Sequence, residues 1–280
     1  MSEAIKRILV PLDPSPHARA ATQTACEVAR KHKAELAGVA VLDSSEIRAN
    51  LVPAIGPYYP MMIDAVQEKV HHADKLLDDC LEEFAATCER EKVRHFETEY
   101  EGIPAQKLLE SSIFFDLIVM GLKTSFHFET RGLGGESLDN LLDRTSTPVL
   151  AVPTSGMLAP SKVLIAFDGS FGATRALHDF VGFGRPYDFE ITVISADMKT
   201  DRLGFLLDNA KIFLENHGFS KVACIASGDS IEKAVDEDMT SDFDLIVAGI
   251  HSRKTVKDYF LGSFAKQLIQ RDDTPLFLSH

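Results

Sequence analysis

The sequence predicts an α/β fold built as two tandem doubly wound parallel sheets of five strands each. Three observations carry this. Short, fully apolar runs alternate with longer amphipathic ones, as strands buried on both faces alternate with the helices that cover them. The whole pattern runs twice. The two runs also share sequence: FDLIVMG at 115–121 returns as FDLIVAG at 243–249, with six of seven positions identical.

The ends of the halves repeat as well. KRILVPLD at 6–13 is echoed by SKVLIAFD at 161–168, and TPVLAVP at 147–153 by TPLFLSH at 274–280. The offset between copies falls from 155 at the opening to 128 at the shared central segment, so the first half is 27 residues longer in its early part. Much of that excess falls in 44–62, which contains the apolar, proline-rich LVPAIGPYYPMM. Prolines resist regular structure there while the apolar side chains avoid water. Such a segment is either a loop packed on the other half or on a second subunit, or a lid over an apolar ligand.

Each element has its own reason. Residues 8–12 form a buried strand. Pro16 opens a helix to residue 33, because a first turn leaves its N–H groups unpaired anyway. Residues 36–42 are the second strand. A long helix fits 63–92, with Leu76, Leu77, Leu81 and Phe84 spaced for one face. A weaker pattern at 94–100 gives a third strand, followed by a helix at 104–111 and a strand at 117–120. A helix at 137–144 and a strand at 149–152 close the half. The second half repeats this, with strands at 163–167, 191–195, 222–225, 245–248 and 276–278. MLAPS at 157–161 is the linker, which sets domains at 1–155 and 161–280.

Composition narrows the function. The net charge of −13 repels phosphate backbones, which excludes a general nucleic-acid or anionic-membrane binder. No run approaches a membrane span, and the start lacks a signal-peptide pattern, so a cytoplasmic protein is expected. Cys26, Cys80, Cys88 and Cys224 form no CxxC pair and are expected to be reduced and buried. His71 and His72 with Glu68 lack a third ligand for a metal. There is no P-loop, no nucleophile elbow and no triad, so no catalytic residue is assigned.

In an open parallel sheet, ligands sit beyond the carboxyl ends of the strands. Three places per half qualify: the turn after strand one (Asp13, Asp168), the turn after strand four (Gly121, Gly249), and the start of the last helix (Gly135; Gly262 and Ser263). A helix start offers unpaired N–H groups to a phosphate. Ser263 could equally be a helix cap, with Gly262 only turning the chain.

The spacing Gly249-x2-Ser252-x9-Gly262-Ser263 resembles the nucleotide-binding motif of the universal stress proteins, Gly-x2-Gly-x9-Gly-Ser/Thr. The chain as a whole resembles two such domains in tandem, apart from 44–62. Ser252 departs from the motif's second glycine. The resemblance implies an adenine-nucleotide alpha-hydrolase-like fold that binds ATP or AMP, with Mg2+ accompanying ATP, in a regulatory rather than catalytic role. It assigns Asp168, Ser195, Gly249, Ser252, Gly262 and Ser263 to the site in the second half. Asp13, Val41, Gly121, Thr124 and Gly135 are the weaker set in the first half, with the strand-two backbone (Val41, Ser195) reading adenine.

The two sets are unequal because Glu136 stands where the second half has Ser263. A carboxylate about 4 Å from a phosphate costs up to about 4 kcal/mol. The loop between Gly121 and Gly135 is also one residue longer than its counterpart. Thr124, Ser252 and Glu136 favour the alternative, a nucleotide-free interaction module of the same family. An ATP-using transferase is the third reading. The apolar last strands are the expected edges for pairing of the two halves within the chain, and a homodimer remains an open further step.

Overall fold

The computed structural model describes residues 5–43, 59–124, 136–157, 159–196, 200–235, 237–250 and 263–280. The first half runs β1 (Arg7–Pro11), α1 (Pro16–His32), β2 (Glu35–Leu42), α2 (Tyr59–Glu91), β3 (His95–Glu101), α3 (Pro104–Ser112), β4 (Leu117–Gly121), α4 (Glu136–Leu142) and β5 (Val149–Val152). The second runs β6 (Lys162–Ala166), α5 (Phe171–Gly184), β7 (Glu190–Ala196), α6 (Thr200–Asn216), β8 (Lys221–Ser227), α7 (Ile231–Ala234), α8 (Glu237–Thr240), β9 (Leu245–Gly249), α9 (Ser263–Arg271) and β10 (Leu276–Ser279).

Both five-stranded parallel sheets are present, in the orders β3-β2-β1-β4-β5 and β8-β7-β6-β9-β10. The chain reverses direction across each sheet between β1 and β4, and between β6 and β9. β10 lies antiparallel beside β5, which makes one sheet of ten strands. Phe277 sits opposite Leu150. These are equivalent positions of the Thr-Pro repeats, so the register is centred as a twofold axis requires.

Helices cover both faces. Ala25 and Val28 of α1, Leu77 and Phe84 of α2, Leu177 of α5 and Leu207 of α6 pack on one face of the sheet. Leu108 of α3, Leu138 and Leu141 of α4 and Leu268 of α9 pack on the other. Alternate residues of the central strands serve the two layers, so those strands read as unbroken apolar runs.

The repeated segment has a structural explanation at each end. Asp116 accepts hydrogen bonds from the amides of Lys6 (2.8 Å) and Arg7 (2.9 Å), which ties β4 to the start of β1. Asp244 does the same with Ser161 (2.8 Å) and Lys162 (2.9 Å) at the start of β6. Burial alone would raise the Asp244 carboxyl, but these amide hydrogen bonds outweigh it and hold the group below its usual range.

Several boundaries differ from the sequence expectation. α2 begins at Tyr59 rather than 63, because Pro60 falls in the first turn, where proline is tolerated. The rest of the 44–62 segment lies outside the described residues. Where the first half has α3, the second has two four-residue helices, α7 and α8. Cys26, Cys80 and Cys88 are buried, but Cys224 is exposed. It stands on β8, an outer edge strand whose residues are mostly open to solvent.

The halves also meet through side chains. His17 Nε2 lies 3.0 Å from an Asp272 carboxylate oxygen, and Lys123 Nζ lies 2.7 Å from the other. His32 of α1 packs on the rings of Phe183 and Tyr187. The His280 ring contacts the Leu142 carbonyl at the end of α4. The linker is anchored too: Met157 is buried, and its amide donates to Thr24 Oγ1 at 3.0 Å.

Candidate functional site

The turn after the first strand is built identically in both halves. Asp13 Oδ1 accepts from the Ser15 amide at 2.9 Å, and Asp168 Oδ1 accepts from the Ser170 amide at 2.8 Å. Each Ser then caps the following helix: Ser15 Oγ accepts from the Ala18 amide and Ser170 Oγ from the Ala173 amide. The aspartates therefore shape this turn, and their remaining contacts stay within the fold. Asp13 is buried and Asp168 half-buried.

The glycines that end β4 and β9 stand directly under those helix starts. A Cβ at Gly249 would lie 2.4 Å from the Ala173 amide nitrogen and 2.5 Å from the Gly172 carbonyl carbon. A Cβ at Gly121 would lie 2.4 Å from His17 Cβ. Glycine is required at both places by helix packing, whatever ligand approaches nearby. Thr124 is fully buried, and its hydroxyl accepts from the Gly121 amide at 3.0 Å, closing the turn after β4.

In the second half these pieces surround a cavity of about 120 Å³ at the carboxyl ends of β6, β7 and β9. Asp168, Ser170 and Gly249 line it, with Ala196, Ile231 and Phe264 as apolar walls. It thus joins two of the expected residues to the start of α9. A carboxylate at the rim accepts from sugar hydroxyls, while small apolar walls suit a flat base. Ser195 is fully buried, and its hydroxyl has no hydrogen-bond partner among the described residues. Ala196, its neighbour on β7, lines the cavity instead.

Ser263 opens α9 as expected, but its hydroxyl donates to Glu232 Oε1 at 2.9 Å. A carboxylate thus stands at the end of the cavity where a phosphate was expected. Glu232 and Ile231 carry no motif, and only the fold brings α7 to α9, so no pattern in the sequence marks them. Ser252, Gly262 and Gly135 lie outside the described residues, as does the side chain of Glu136.

Asp13 lines a cavity of about 230 Å³ on the other layer, between α1 and α2, with Arg19, Thr22, Cys80, Glu83 and Arg90 around it. The Arg19 guanidinium Nε bridges both Glu83 oxygens at 2.8 and 2.9 Å across this seam. Burial, with Asp13 and Glu83 nearby, pushes the Cys80 thiol up to about 11. Val41 is fully buried and packs in the opposite layer. Among the described residues no three His, Cys, Asp or Glu side chains could hold a metal ion, and no helix is long and apolar enough to cross a membrane.

Known proteins resemble this chain over its full length. A universal stress protein from Archaeoglobus fulgidus superposes with a TM-score of 0.68 at 19% identity, covering 98% of this chain and 95% of that one. A functionally unknown protein from Pseudomonas aeruginosa gives 0.59 at 16% identity, covering 99% and 92%. At these identities the likeness shows the fold. The universal stress protein Slr1230 of Synechocystis is 23% identical over 165 residues, 58% of this chain and 57% of that relative, so the match spans little more than half of it. The profile of the universal stress protein family matches residues 4–153 and again 160–280. The chain therefore belongs to the universal stress protein family, with two copies of its domain in tandem.

Proposed function

We propose that the chain is a regulatory module of the cytoplasm that binds an adenine nucleotide, ATP or AMP, in its second half and catalyses no reaction. The observation that supports this is the cavity at the ends of β6, β7 and β9, with Asp168 at its rim and the start of α9 at its side. In this reading the base lies against Ala196, Ile231 and Phe264, with the Ser195 backbone reading its edge. Asp168 receives the ribose hydroxyls, and the Gly262–Ser263 helix start receives the phosphates. Gly249 and Ser252 form the intervening turn, and Mg2+ accompanies ATP. Asp13, Val41, Gly121, Thr124 and Gly135 form a weaker site, because Glu136 opposes a phosphate there. Domains at 1–155 and 161–280 pair within the chain in solution, and two chains can pair further.

A second reading, a nucleotide-free interaction module, is favoured by one observation: Glu232 already holds the Ser263 hydroxyl. Calorimetric titration of the full chain with ATP and magnesium, and with AMP, separates the two. Asp168→Asn should weaken binding roughly ten- to a hundredfold, the value of hydrogen bonds to a charged group. Gly262→Val should remove most binding and Gly135→Val little. No binding heat with either nucleotide, or the reverse pattern between the two glycines, refutes the assignment.

A further inference from the structure

α1 and α2 face each other with cysteines at matching heights. On α1, Thr22 and Cys26 are one turn apart on the same stripe; on α2, Cys80, Phe84 and Cys88 form another. Cys26 and Cys88 are both fully buried, and their sulfurs lie 3.9 Å apart. A disulfide bond is about 2.05 Å long, so the sulfurs are within about 1.9 Å of bonding. Cys80 is set two turns back from Cys88, about 12 Å along the helix.

A cavity lies next to the pair. The cavity between α1 and α2 is lined by Thr22 and Gln23 on one wall and by Phe84 and Thr87 on the other. Cys26 follows Thr22 by one turn, and Cys88 is next to Thr87. The cavity, about 230 Å³, is large enough for a small peroxide; Cys80 lines it, and Cys26 and Cys88 stand behind the Thr22 and Thr87 walls. The two thiols are also polarised against each other. The hydrogen bond with Cys88 lowers the Cys26 thiol, burial and Glu91 oppose this, and Arg30 and Arg90 add to the lowering. The same bond and burial raise Cys88, which keeps its proton.

We infer that Cys26 and Cys88 are a reversible redox pair that a hydroperoxide converts to a disulfide joining α1 to α2. The Cys26 thiolate attacks one peroxide oxygen. The O–O bond breaks, the departing oxygen takes a proton and leaves as water or an alcohol, and Cys26 becomes a sulfenic acid. Cys88 then attacks the Cys26 sulfur. The S–O bond breaks, and the Cys88 proton leaves with the hydroxide as water. Two thiols are oxidised and one peroxide is reduced. A small dithiol reverses the step by exchange. The bond closes a loop between residues 62 positions apart, which contains β2 and the segment at 44–58, and clamps α2 across the first-half cavity.

The test uses the full chain and hydrogen peroxide. After treatment, free thiols are alkylated in denaturant and the protein is weighed and mapped. The expected result is an intact mass lower by two hydrogens before alkylation, a peptide linking Cys26 to Cys88, and recovery of both thiols with dithiothreitol. Cys80→Ser should keep the link, whereas Cys26→Ser and Cys88→Ser should lose it. Mapping of the unmutated chain decides the matter even where a variant folds poorly. Four alkylated cysteines after peroxide, a link made by Cys80 or Cys224 instead, or a Cys26–Cys88 link that forms only in urea overturns the inference.

Discussion

Replacing Gly249 with alanine adds a single methyl group at the end of β9. Its carbon would lie 2.4 Å from the Ala173 amide nitrogen and 2.9 Å from the Gly172 carbonyl oxygen. Comfortable contact begins near 3.5 Å, so the start of α5 must retreat by about 1 Å. The obstruction is backbone in a capped helix turn, which no rotamer change relieves. Overpacking costs about 1–3 kcal/mol, and this case belongs at the upper end. At roughly 2–4 °C per kcal/mol, the melting temperature should fall by roughly 6–12 °C. Gly204 supplies the opposite control. It is exposed on α6 with nothing within 4 Å of an added Cβ. Gly204→Ala should gain about 1 kcal/mol from helix propensity. Both variants are measured without nucleotide, by calorimetry and urea titration. If Gly249→Ala melts with the parent protein while Gly204→Ala gains as stated, the glycine does not serve helix packing and the reasoning fails.

Gly38→Ala on β2 would place a methyl 2.6 Å from the buried Phe84 ring, and urea unfolding should show a loss of about 1–3 kcal/mol. Removing the carboxylate in Asp272→Ala strips His17 and Lys123 of their shared partner between the halves. Limited proteolysis should then cut the linker at 153–161 faster than in the parent. Burial lowers the His32 pKa, more than the Phe183 carbonyl raises it. The unfolded chain therefore binds the proton more readily, and this contribution to stability is complete above about pH 6.5 and lost as pH falls toward the folded pKa. His32→Phe keeps a ring beside Phe183 and Tyr187 and should flatten the fall in urea midpoint between pH 7.5 and 5.5. An unchanged pH profile would count against it.

The strands were legible because burial on both faces demands unbroken apolar runs, and the repeat was legible because the same demand is met twice. The purpose of the repeated Asp-Leu-Ile-Val was not. Asp116 and Asp244 act on amides more than eighty residues earlier in the chain, and no local pattern records such a partner. The sequence around Gly121 and Gly249 signals a turn, while the helix that fills their missing Cβ space starts more than seventy residues earlier. In the candidate site, spacing and the family motif point to Asp168 and Gly249, and both line the cavity. Glu232 escaped because its meeting with Ser263 depends on how the short α7 sits beside α9. The exposure of Cys224 escaped because strand order, which makes β8 an outer edge, is not written in the strand itself.

The seam between β5 and β10 couples equivalent residues of two units that share one chain. Two separate copies joined this way would come apart on dilution and would have to carry the same substitutions on both sides of the axis. With the units fused, each finds the other at an effective concentration that a short tether sets near millimolar, whatever the amount of protein in the cell. The stoichiometry is fixed at one to one. The symmetric scaffold is then free of symmetric chemistry: a residue on one side of the axis can change while its counterpart on the other stays as it is.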